Sequence, residues 1–299
     1  MIDLKLLKTF LVVVNHGSFV MAARQLHVVP SVIAKRIAAL ESLLHTRLFE
    51  RTTRKVALTA AGERLRQRAS ELLDTADALM ADLGHGADMS APAHLRVLAP
   101  TTLTTLHLSH ALTEFLKLHP HLSLQVELGD RSINPIEESF DVVVSGRLAS
   151  YEGVQQFPLA PIDYVLCASP AQAKVLRTLA HPSELSALPC LVFEPLGTSW
   201  VFQSARGAVH VEVKPRLIAD DNHTVLQACL KGLGVAVLPG YLARPQLQRG
   251  RLRALLPNFP LQEAWFKAYI PRRKVHLPHV MALKEFLSVQ LGQLHGDRA

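Results

Sequence analysis

Cysteine is scarce in this chain of 299 residues: Cys167, Cys190 and Cys229 are the only three, and they stand far apart. The spacing contains no CxxC pair, so we expect no metal site of that kind and three reduced, buried thiols in a cytoplasmic protein. No run of eighteen apolar residues occurs, which argues against a transmembrane helix. The apolar stretch Phe10–Val14 is short and no small-residue cleavage site follows it, which argues against a secretory signal.

The sequence also lacks the short motifs of several enzyme classes. It contains no GxSxG nucleophile elbow, no GxxxxGK[ST] phosphate loop and no HExxH zinc helix. Gly232-Leu233-Gly234 lacks the third glycine of a dinucleotide-binding fingerprint and lies at the end of a predicted helix. His107 and His110 share a helix face, with His119 and His121 nearby, but no carboxylate or cysteine is positioned to complete a metal site. We therefore expect neither an enzyme nor a bound metal or cofactor.

Basic residues are distributed unevenly along the chain. Residues 1–68 contain twelve Lys or Arg against four Asp or Glu, a net charge of +8, whereas the rest of the chain has twenty against twenty-one. The whole basic excess of the protein, +7, therefore lies in its first quarter. A basic block joined to a nearly neutral body is typical of a nucleic-acid-binding module, although a solvated basic face has the same charge signature.

The basic block has the pattern of three helices followed by a short β-ribbon. Apolar residues at helical spacing predict a first helix that ends at Gly17, and its stripe consists of Leu4, Leu7, Phe10, Leu11 and Val14. Ser18 is a typical N-cap for a short second helix, roughly 18–26, where small residues such as Ala22 permit close approach of a neighbouring helix. Pro30 fits the first position of a third helix, because the missing N–H costs no hydrogen bond there.

The third helix has an apolar face and a small, basic face. Its apolar stripe, which faces the predicted core, consists of Ile33, Ile37, Leu40 and Leu44. Small residues on the opposite face let the helix sit close to base edges in the DNA major groove, while Arg36 at the border extends toward a phosphate. The basic tip of the ribbon is expected to bind phosphates. The predicted DNA contacts are Pro30, Ser31, Ala34, Lys35 and Arg36 on the helix and Arg51, Thr53, Arg54 and Lys55 on the ribbon.

Five short elements carry a specific resemblance that covers residues 2–65. In chain order they are GSF, AA-x-x-L, I-x-x-LE, RLFER and LT-x-AG. Together they resemble the DNA-binding domain of the LysR-type transcriptional regulators, a winged helix-turn-helix. The chain departs from the family at Val29 and Ala34, where Ser is usual. Val29 cannot accept a capping hydrogen bond, which costs about 1 kcal/mol. Since Ala34 also removes a hydroxyl from the DNA-facing side, operator affinity or sequence preference is expected to differ.

A long amphipathic helix is predicted after the ribbon. Thr59 is a suitable N-cap, and no proline follows until Pro92. Apolar residues alternate spacings of four and three, which is an a/d seam and favours dimerisation over packing within one chain. The seam consists of Leu65, Ala69, Leu72, Ala76, Leu79 and Leu83. We expect a DNA-binding domain at 1–58, this linker helix with a hinge at 59–93, and a further domain at 94–299.

From Leu95 the pattern changes to alternating strands and helices, which predicts an α/β domain with mainly parallel pairing. The predicted strands are 95–99, 122–128, 142–144, 164–168, 217–219 and 235–238, and the predicted helices are 102–118, 133–140, 170–179 and 223–232. Ligands of such sheets bind beyond the carboxyl ends of strands. At two such ends a helix begins, at Thr101-Thr102 and at Asn222-His223, with Asn222 as N-cap. Because helix N-termini attract anions, a small carboxylate is one expected ligand.

This part of the chain resembles the LysR-family effector-binding domain, which is related to periplasmic binding proteins and has two subdomains around a cleft. The matching elements are LRVLAP, Asp130-Arg131, FDVVV, DYVLCAS, GLGVAVLP and PRRKVHLPHVMALKEFL. The resemblance implies one subdomain from 94–161 with 266–299 and another from 162–265. It also implies effector contacts at Thr101, Thr102, Gly129, Ser145, Trp200, Phe202, Asn222 and His223. The related group usually has Arg at Ser145 and Gly at Arg147, so recognition of an acidic ligand is expected to differ.

These patterns predict a multi-domain α+β protein: a winged helix-turn-helix, a linker helix and a periplasmic-binding-protein-like effector domain. Its predicted function is a LysR-type transcriptional regulator whose operator binding or promoter activation responds to a small organic effector, a carboxylate or an aromatic compound. The expected partners are double-stranded DNA and further copies of the chain, as a dimer through the linker helix and as a tetramer. RNA polymerase is a further candidate partner, and no membrane is expected.

Two alternative functions stay open at this point. One is an enzyme, which the missing motifs disfavour. The other is a ligand-binding module whose DNA-binding part has decayed, which the departures at Val29 and Ala34 permit. Lys35 and the basic ribbon argue against this second alternative, because a decayed module has no need to keep them.

Overall fold

The structure is a computed structural model that describes residues 3–50, 56–82 and 93–296. The chain divides into two compact units, residues 1–89 with 276–278 and residues 90–275 with 279–299. In the described ranges no helix is both long and apolar enough to cross a membrane. Each unit has a buried apolar core of its own.

The described part of the first unit is built from helices α1 (Leu4–His16), α2 (Phe19–Gln25), α3 (Pro30–Leu43) and α4 (Ala60–Asp82). Several of their ends lie at the capping and stop residues that the sequence predicts. Gly17 ends α1 with a φ of 58°, a left-handed conformation that glycine adopts without steric cost. The Ser18 hydroxyl accepts a long hydrogen bond of 3.4 Å from Met21 N–H at the start of α2. At the start of α4, the Thr59 hydroxyl accepts from Gly62 N–H at 3.0 Å.

The core of this unit forms where α1, α2 and α3 meet. Phe10 of α1 and Ile33 of α3 are fully buried there, as the predicted apolar stripes require. After α3, Phe49 and Leu58 form an antiparallel β-bridge, which is the base of the predicted ribbon. A Cβ atom at Gly62 would lie 2.2 Å from the Leu48 carbonyl oxygen, so only glycine lets α4 begin this close to the ribbon.

Two five-stranded sheets form the described part of the second unit. The first sheet is made of β1 (Ala93–Ala99), β2 (Leu122–Leu128), β3 (Val142–Ser145), β4 (Val154–Ile162) and β12 (Ala264–Pro271), in the order β2-β1-β3-β12-β4. Strand β1 is parallel to β2 and β3, whereas β12 is antiparallel to β3 and β4. Its helices are α5 (Thr101–Leu103), α6 (Ser109–Leu118), which a π-helical turn joins to α5, and α10 (Pro278–Gly296). We call this part the first lobe.

The second sheet is made of β5 (Tyr164–Ala168), β6 (Pro189–Phe193), β9 (Lys214–Ala219), β10 (Val235–Pro239) and β11 (Arg253–Ala254), in the order β11-β5-β10-β6-β9. Strand β6 is parallel to β9 and β10, whereas β5 is antiparallel to β10 and β11. A separate hairpin joins β7 (Ser199–Ser204) to β8 (Gly207–Glu212). With α7 (Pro170–Val175), α8 (Asn222–Leu230) and α9 (Gly240–Gln248), these strands form the second lobe. The chain enters it after Ile162 and leaves it before Ala264.

The prediction of mainly parallel pairing is wrong, because antiparallel pairings outnumber parallel ones among the described strands. An apolar pattern reports burial and carries no information on strand direction. The long strands β4 and β12, which pair with each other where the chain leaves and re-enters the first lobe, were not predicted at all.

The helix predicted for residues 133–140 is also wrong, since these residues form a turn. Asn134 Oδ1 accepts a hydrogen bond from Ile136 N–H at 3.0 Å, and Ser139 has a φ of 58° that ends any helical path. The helix predicted for 170–179 begins as expected at Pro170 but already ends at Val175.

Candidate DNA-binding surface and effector cavity

The outer face of α3 is small and accessible. The predicted contacts Pro30, Ser31, Ala34 and Lys35 are all exposed to solvent. Val29 occupies the N-cap position and makes no side-chain hydrogen bond to the helix, as its apolar side chain requires. No side chain at the N-cap therefore binds the N–H groups of the first turn, of which Val32 N–H donates to the Val29 carbonyl at 3.0 Å.

Arg36 at the border of this face is held against α1. Its Nη1 donates to Thr9 Oγ1 at 3.3 Å, and the Thr9 hydroxyl donates to the Lys5 carbonyl at 2.7 Å. This chain of hydrogen bonds orients the guanidinium toward its own unit. A phosphate contact from Arg36 stays a prediction.

The ribbon is described at its base only. Glu50 N–H donates to the Ala57 carbonyl at 2.8 Å. Glu41 Oε1 accepts from Leu48 N–H at 2.7 Å and from Phe49 N–H at 3.3 Å, so this carboxylate joins α3 to the ribbon. In the sequence, Glu41 is the last residue of the I-x-x-LE motif, and that motif does not predict this contact. The four predicted contacts on the tip lie outside the described residues: Arg51, Thr53, Arg54 and Lys55.

The first half of the predicted seam on α4 packs within its own unit. Ala69 is 1% exposed and belongs to the core of the first unit. Its assignment to a dimer interface is therefore wrong, because a partner helix cannot reach a side chain that its own unit covers. Leu65 packs partly against the same core. A pattern of apolar residues does not distinguish burial within one unit from burial in a dimer interface.

The second half of the seam is uncovered. Leu72 is 49% exposed and Leu79 is 60% exposed, and Ala76 between them is half-buried. Large apolar side chains in such a row leave an apolar stripe facing solvent. Leu83, the last predicted member, lies outside the described residues.

A cavity of about 470 Å³ lies between the two lobes, where β1, β3, β6 and β10 end. We call it the effector cavity. Aromatic side chains form much of its wall: Tyr164, Phe193, Trp200, Tyr241, Trp265 and Phe266. The charged residues of the wall are Asp130, Arg147, Glu263 and Lys267. A volume of this size with an aromatic wall and a few polar groups suits a small organic molecule.

Three of the predicted effector contacts line the effector cavity: Ser145, Trp200 and Asn222. Four others are not part of its wall: Thr101, Thr102, Gly129 and His223. Phe202 is not part of the wall either, and its ring is fully buried in the core of the second lobe, so its contact with an effector stays a prediction. Trp200 and Phe202 share one side of β7, and the cavity reaches only the first of them.

The protein's own carboxylates occupy both helix N-termini that the sequence assigned to an anion. Asp130 Oδ2 accepts from Thr101 N–H at 3.0 Å, where α5 begins. Asp221 is the N-cap of α8, and its Oδ2 accepts from Thr224 N–H at 2.9 Å. An acidic ligand at either terminus would have to displace a carboxylate that is part of the chain.

Asn222 is the first residue of α8 and not its N-cap, because Asp221 takes that position. Its side chain lines the effector cavity and is only 6% exposed. The Oδ1 atom is buried and has no hydrogen-bond partner among the described residues. A buried acceptor without a partner costs about 1–3 kcal/mol, which a ligand that donates a hydrogen bond would recover.

The two carboxylates differ in their proton affinity. Burial raises the pKa of Asp130 above its usual value, hydrogen bonds from Thr101 oppose this, and the charges of Asp221 and Asp220 raise it further. Burial also raises the pKa of Asp221, but hydrogen bonds from Thr102 and from the first turn of α8 outweigh this and hold it below its usual value. Asp130, which lines the effector cavity, therefore has further acidic groups near it at this end.

Two tyrosines lie beside this acidic end. Burial raises the pKa of Tyr164 to about 12, and the charge of Asp130 adds to the effect. Burial likewise raises the pKa of Tyr241, followed by the influence of Tyr164 and Asp130. Both phenols are therefore neutral at physiological pH, and their rings face the effector cavity.

The cations of the cavity wall lie on the side of β3 and β12. Arg147 Nη1 is 3.8 Å from Glu194 Oε2 of the second lobe. Lys267 is paired with Ser145 across β12 and β3, and its Nζ donates to Gln156 Oε1 at 3.2 Å. Since Glu263 also lines this side, positive and negative charges balance here.

The described residues of the chain contain no group of three or more His, Cys, Asp or Glu that is arranged to hold a metal ion. Cys167, Cys190 and Cys229 are free and buried, as predicted. Burial raises the pKa of the Cys190 thiol to about 12, so it is protonated at physiological pH.

Comparison with known proteins assigns both units to one family. Residues 4–63 match the bacterial regulatory helix-turn-helix proteins of the lysR family, and residues 90–291 match the LysR substrate binding domain. The chain belongs to the LysR family of transcriptional regulators, with a helix-turn-helix DNA-binding part and a C-terminal effector-binding domain. Members of this family are regulators and not enzymes, so the enzyme alternative is excluded.

Individual relatives agree with this assignment. The chain is 28% identical over 294 residues to the HTH-type transcriptional regulator PtxR of Pseudomonas aeruginosa, covering 98% of this chain and 94% of that protein. It is 28% identical over 270 residues to the regulator DmlR of Escherichia coli K12, with coverages of 89% and 87%. Among solved structures, the LysR-type regulator CrgA of Neisseria meningitidis has a TM-score of 0.59 at 24% identity, covering 98% of this chain and 100% of that chain. This structural likeness supports the fold.

Proposed function

We propose that a small organic molecule in the effector cavity changes how this regulator holds its operator or activates its promoter. The observation that carries the proposal is the composition of the cavity wall, which takes Ser145 and Arg147 from the first lobe and Trp200 and Asn222 from the second. A molecule bound in the cavity contacts both lobes at once and stabilises one distance between the lobes over others. Such differential affinity shifts the population of conformations.

Two polar contacts between the lobes support this mechanism. Thr102 Oγ1 donates to Asp221 Oδ1 at 2.6 Å, and Arg147 approaches Glu194 at 3.8 Å. Both contacts involve residues of the cavity wall or their sequence neighbours. A ligand that pairs with Arg147 or inserts beside Asp221 therefore changes the forces that hold the lobes together.

On the DNA side, we propose that the exposed face of α3 enters the major groove and that the ribbon tip binds phosphates. The exposure of Ser31, Ala34 and Lys35 supports the first part, because small side chains permit close approach and the lysine supplies the charge. We assign residues 1–58 to DNA binding, 59–93 to the linker and 94–299 to effector binding, with the subdomain boundaries that the resemblance implies.

The binding unit is proposed to be a homodimer through α4 and a tetramer of two such dimers. The exposed Leu72 and Leu79 support the dimer, and one small module makes too few contacts for tight specific binding. RNA polymerase is proposed as a partner at promoters that the protein activates. The site of action is proposed to be the cytoplasm, because the operator DNA is there.

Changing Lys35 to Ala tests the DNA-binding face. We expect affinity for operator DNA, taken from beside the gene, to fall about tenfold at moderate salt, as the loss of one charged contact predicts. Gel shift and footprinting measure it. Lys117→Ala is the control, since that lysine is 76% exposed on α6 of the second unit. If Lys35→Ala gives the same footprint as the parent, the assignment of this face is wrong.

The coupling between cavity and operator has its own test. A compound that raises the melting temperature of the full chain in a thermal-shift screen should also alter the footprint or the transcription from the promoter. A compound that binds in the cavity and leaves both unchanged contradicts the proposed coupling.

A further inference from the structure

The effector cavity has an uncompensated negative charge at one end. Asp130 and Asp221 each occupy a helix N-terminus there, and each terminus contributes about half a positive elementary charge. Two carboxylates against two such termini leave about one negative charge. Arg131, the neighbour of Asp130, does not cancel it, because both of its terminal nitrogens donate to the Glu138 carboxylate at 2.7 and 2.6 Å.

The opposite end of the cavity is electrically balanced. Arg147 and Lys267 are matched there by Glu194 and Glu263. The Asp130 carboxylate accepts from Thr101 N–H just after β1, and Lys267 lies on β12, which is two strands further along the order β1-β3-β12. At about 4.8 Å per strand, these two positions are separated by roughly 10 Å. A ligand group beside Asp130 therefore lies away from Lys267, and the nearer cation, Arg147 after β3, is opposed by Glu194.

A buried acceptor points to the same kind of ligand. Asn222 lines the cavity at the acidic end, next to Asp221 in the chain, and its buried Oδ1 has no partner among the described residues. The neighbouring Asp130 carboxylate is a second acceptor in the wall. The Asp130 carboxylate attracts a group with several N–H donors and repels another carboxylate, and the Asn222 oxygen adds an acceptor for such a group.

We infer that the effector of this cavity is a small aromatic amine, with its cationic nitrogen between Asp130 and Asn222 and its ring against the aromatic wall. Tyr164 and Tyr241 line the same cavity as Asp130 and supply aromatic rings, whose faces attract positive charge. The inference rests on the proposed function of the cavity and names its ligand class. An amine thus takes the place of the carboxylate that was expected from the sequence. A carboxylate would find no positive charge at the end of β3, because the residue there is Ser145.

Matched compounds test the ligand class directly. The pairs are benzylamine with phenylacetate, 2-phenylethylamine with 3-phenylpropionate, and tryptamine with 3-indolepropionate, which differ only in the charged group. Calorimetric titration of the full chain is expected to give at least tenfold tighter binding for the amine of the best pair. Carboxylates that bind as tightly as their amines, or amines that do not bind, would overturn the inference.

Two variants test the site. Asp130→Asn keeps an acceptor for Thr101 N–H but removes the charge, and Asn222→Leu removes the unpartnered acceptor at similar volume. Each is expected to weaken amine binding about tenfold or more. Glu263→Gln is the comparison at the balanced end of the same wall, because it removes a carboxylate there and keeps an acceptor for Trp265 Nε1; it should weaken amine binding less than Asp130→Asn does.

The outcome separates this inference from the proposed function. If Asp130→Asn and Glu263→Gln weaken amine binding equally, or neither does, the assignment of the nitrogen to the Asp130–Asn222 end is wrong. The regulatory role is tested by the footprint, with any compound that binds the cavity. A carboxylate that binds and alters the footprint would overturn the inference and leave the proposed function intact.

Discussion

Asp141 and Lys274 form an ion pair in the interior of the first lobe. Lys274 is 4% exposed and Asp141 is 8% exposed, and Lys274 Nζ lies 2.6 Å from Asp141 Oδ1. Asp141 Oδ2 also accepts from Arg96 N–H at 2.6 Å, so the carboxylate ties β1 and the start of β3 to the segment after β12. Two buried charges are tolerated because each compensates the other and further hydrogen bonds satisfy the carboxylate.

Changing Lys274 to Met is expected to lower the free energy of unfolding by about 3–5 kcal/mol, because the Asp141 carboxylate stays buried without its cation. Urea unfolding of the full chain measures it. The exposed pair of Lys117 and Glu114, at 3.7 Å, provides the control: Lys117→Met should cost no more than about 1 kcal/mol. Equal losses from the two variants would contradict the role of the buried pair.

Asp221, at the acidic end of the cavity, is expected to make the free energy of unfolding depend on pH. Its pKa in the folded chain is below the usual 3.8, so the ionised form stabilises the fold. This contribution is complete above the unfolded pKa and disappears as the pH falls through the folded pKa. Asp221→Asn keeps an N-cap but does not titrate. The urea midpoint of the parent relative to this variant should therefore decrease below about pH 4.

Asp130→Asn is the matched comparison for that prediction. The folded pKa of Asp130 is raised, so the folded chain binds this proton more tightly than the unfolded chain does. Its contribution is present at low pH and is lost as the pH rises through the folded pKa. The difference between parent and variant should therefore change in the opposite direction from that of Asp221. If the difference from the parent changes with pH in the same direction for both variants, the opposite pKa shifts of Asp130 and Asp221 are wrong.

At the scale of elements, the two halves of α4 lie in different environments. Its first half begins against the ribbon at Gly62 and buries Ala69 in the core of the first unit. Its second half leaves Leu72 and Leu79 exposed. The a/d spacing runs unbroken through both halves, which is why the sequence predicted one continuous seam.

Changing Leu79 to Glu is expected to raise the dissociation constant of the dimer at least tenfold, because it puts a charge into an apolar contact between paired helices. Sedimentation of the full chain at micromolar concentration measures it. Val289→Glu is the control, since Val289 is 59% exposed on α10 of the second unit. A dimer that survives Leu79→Glu unchanged would show that α4 is not the interface.

At the scale of the whole molecule, charge and chemistry are divided between the two units. The basic excess lies in residues 1–68, whereas the effector cavity combines a balanced end with an acidic one. The first unit thus suits a polyanion, and the second suits a small ligand that brings its own positive charge. One chain keeps these opposite preferences apart by building them on separate cores.

The sequence by itself determined the local features. The end of α1 at Gly17, the start of α3 at Pro30, the cap at Thr59 and the strand Leu122–Leu128 follow from apolar spacing and from capping residues close by in the chain. The missing cap at Val29 is also a local property. The family resemblance added the order of the domains and three residues of the cavity wall, Ser145, Trp200 and Asn222.

Only the tertiary structure decided which residues meet. The antiparallel pairing of β4 with β12, the burial of Ala69 and the occupation of two helix N-termini by Asp130 and Asp221 all depend on partners far away in the chain. Thr102 and Asp221, which join the lobes at 2.6 Å, are separated by 119 residues. A local pattern contains no information about such a partner. The sequence alone therefore favoured a carboxylate ligand at two helix N-termini, whereas in the folded chain the carboxylates of Asp130 and Asp221 already occupy them.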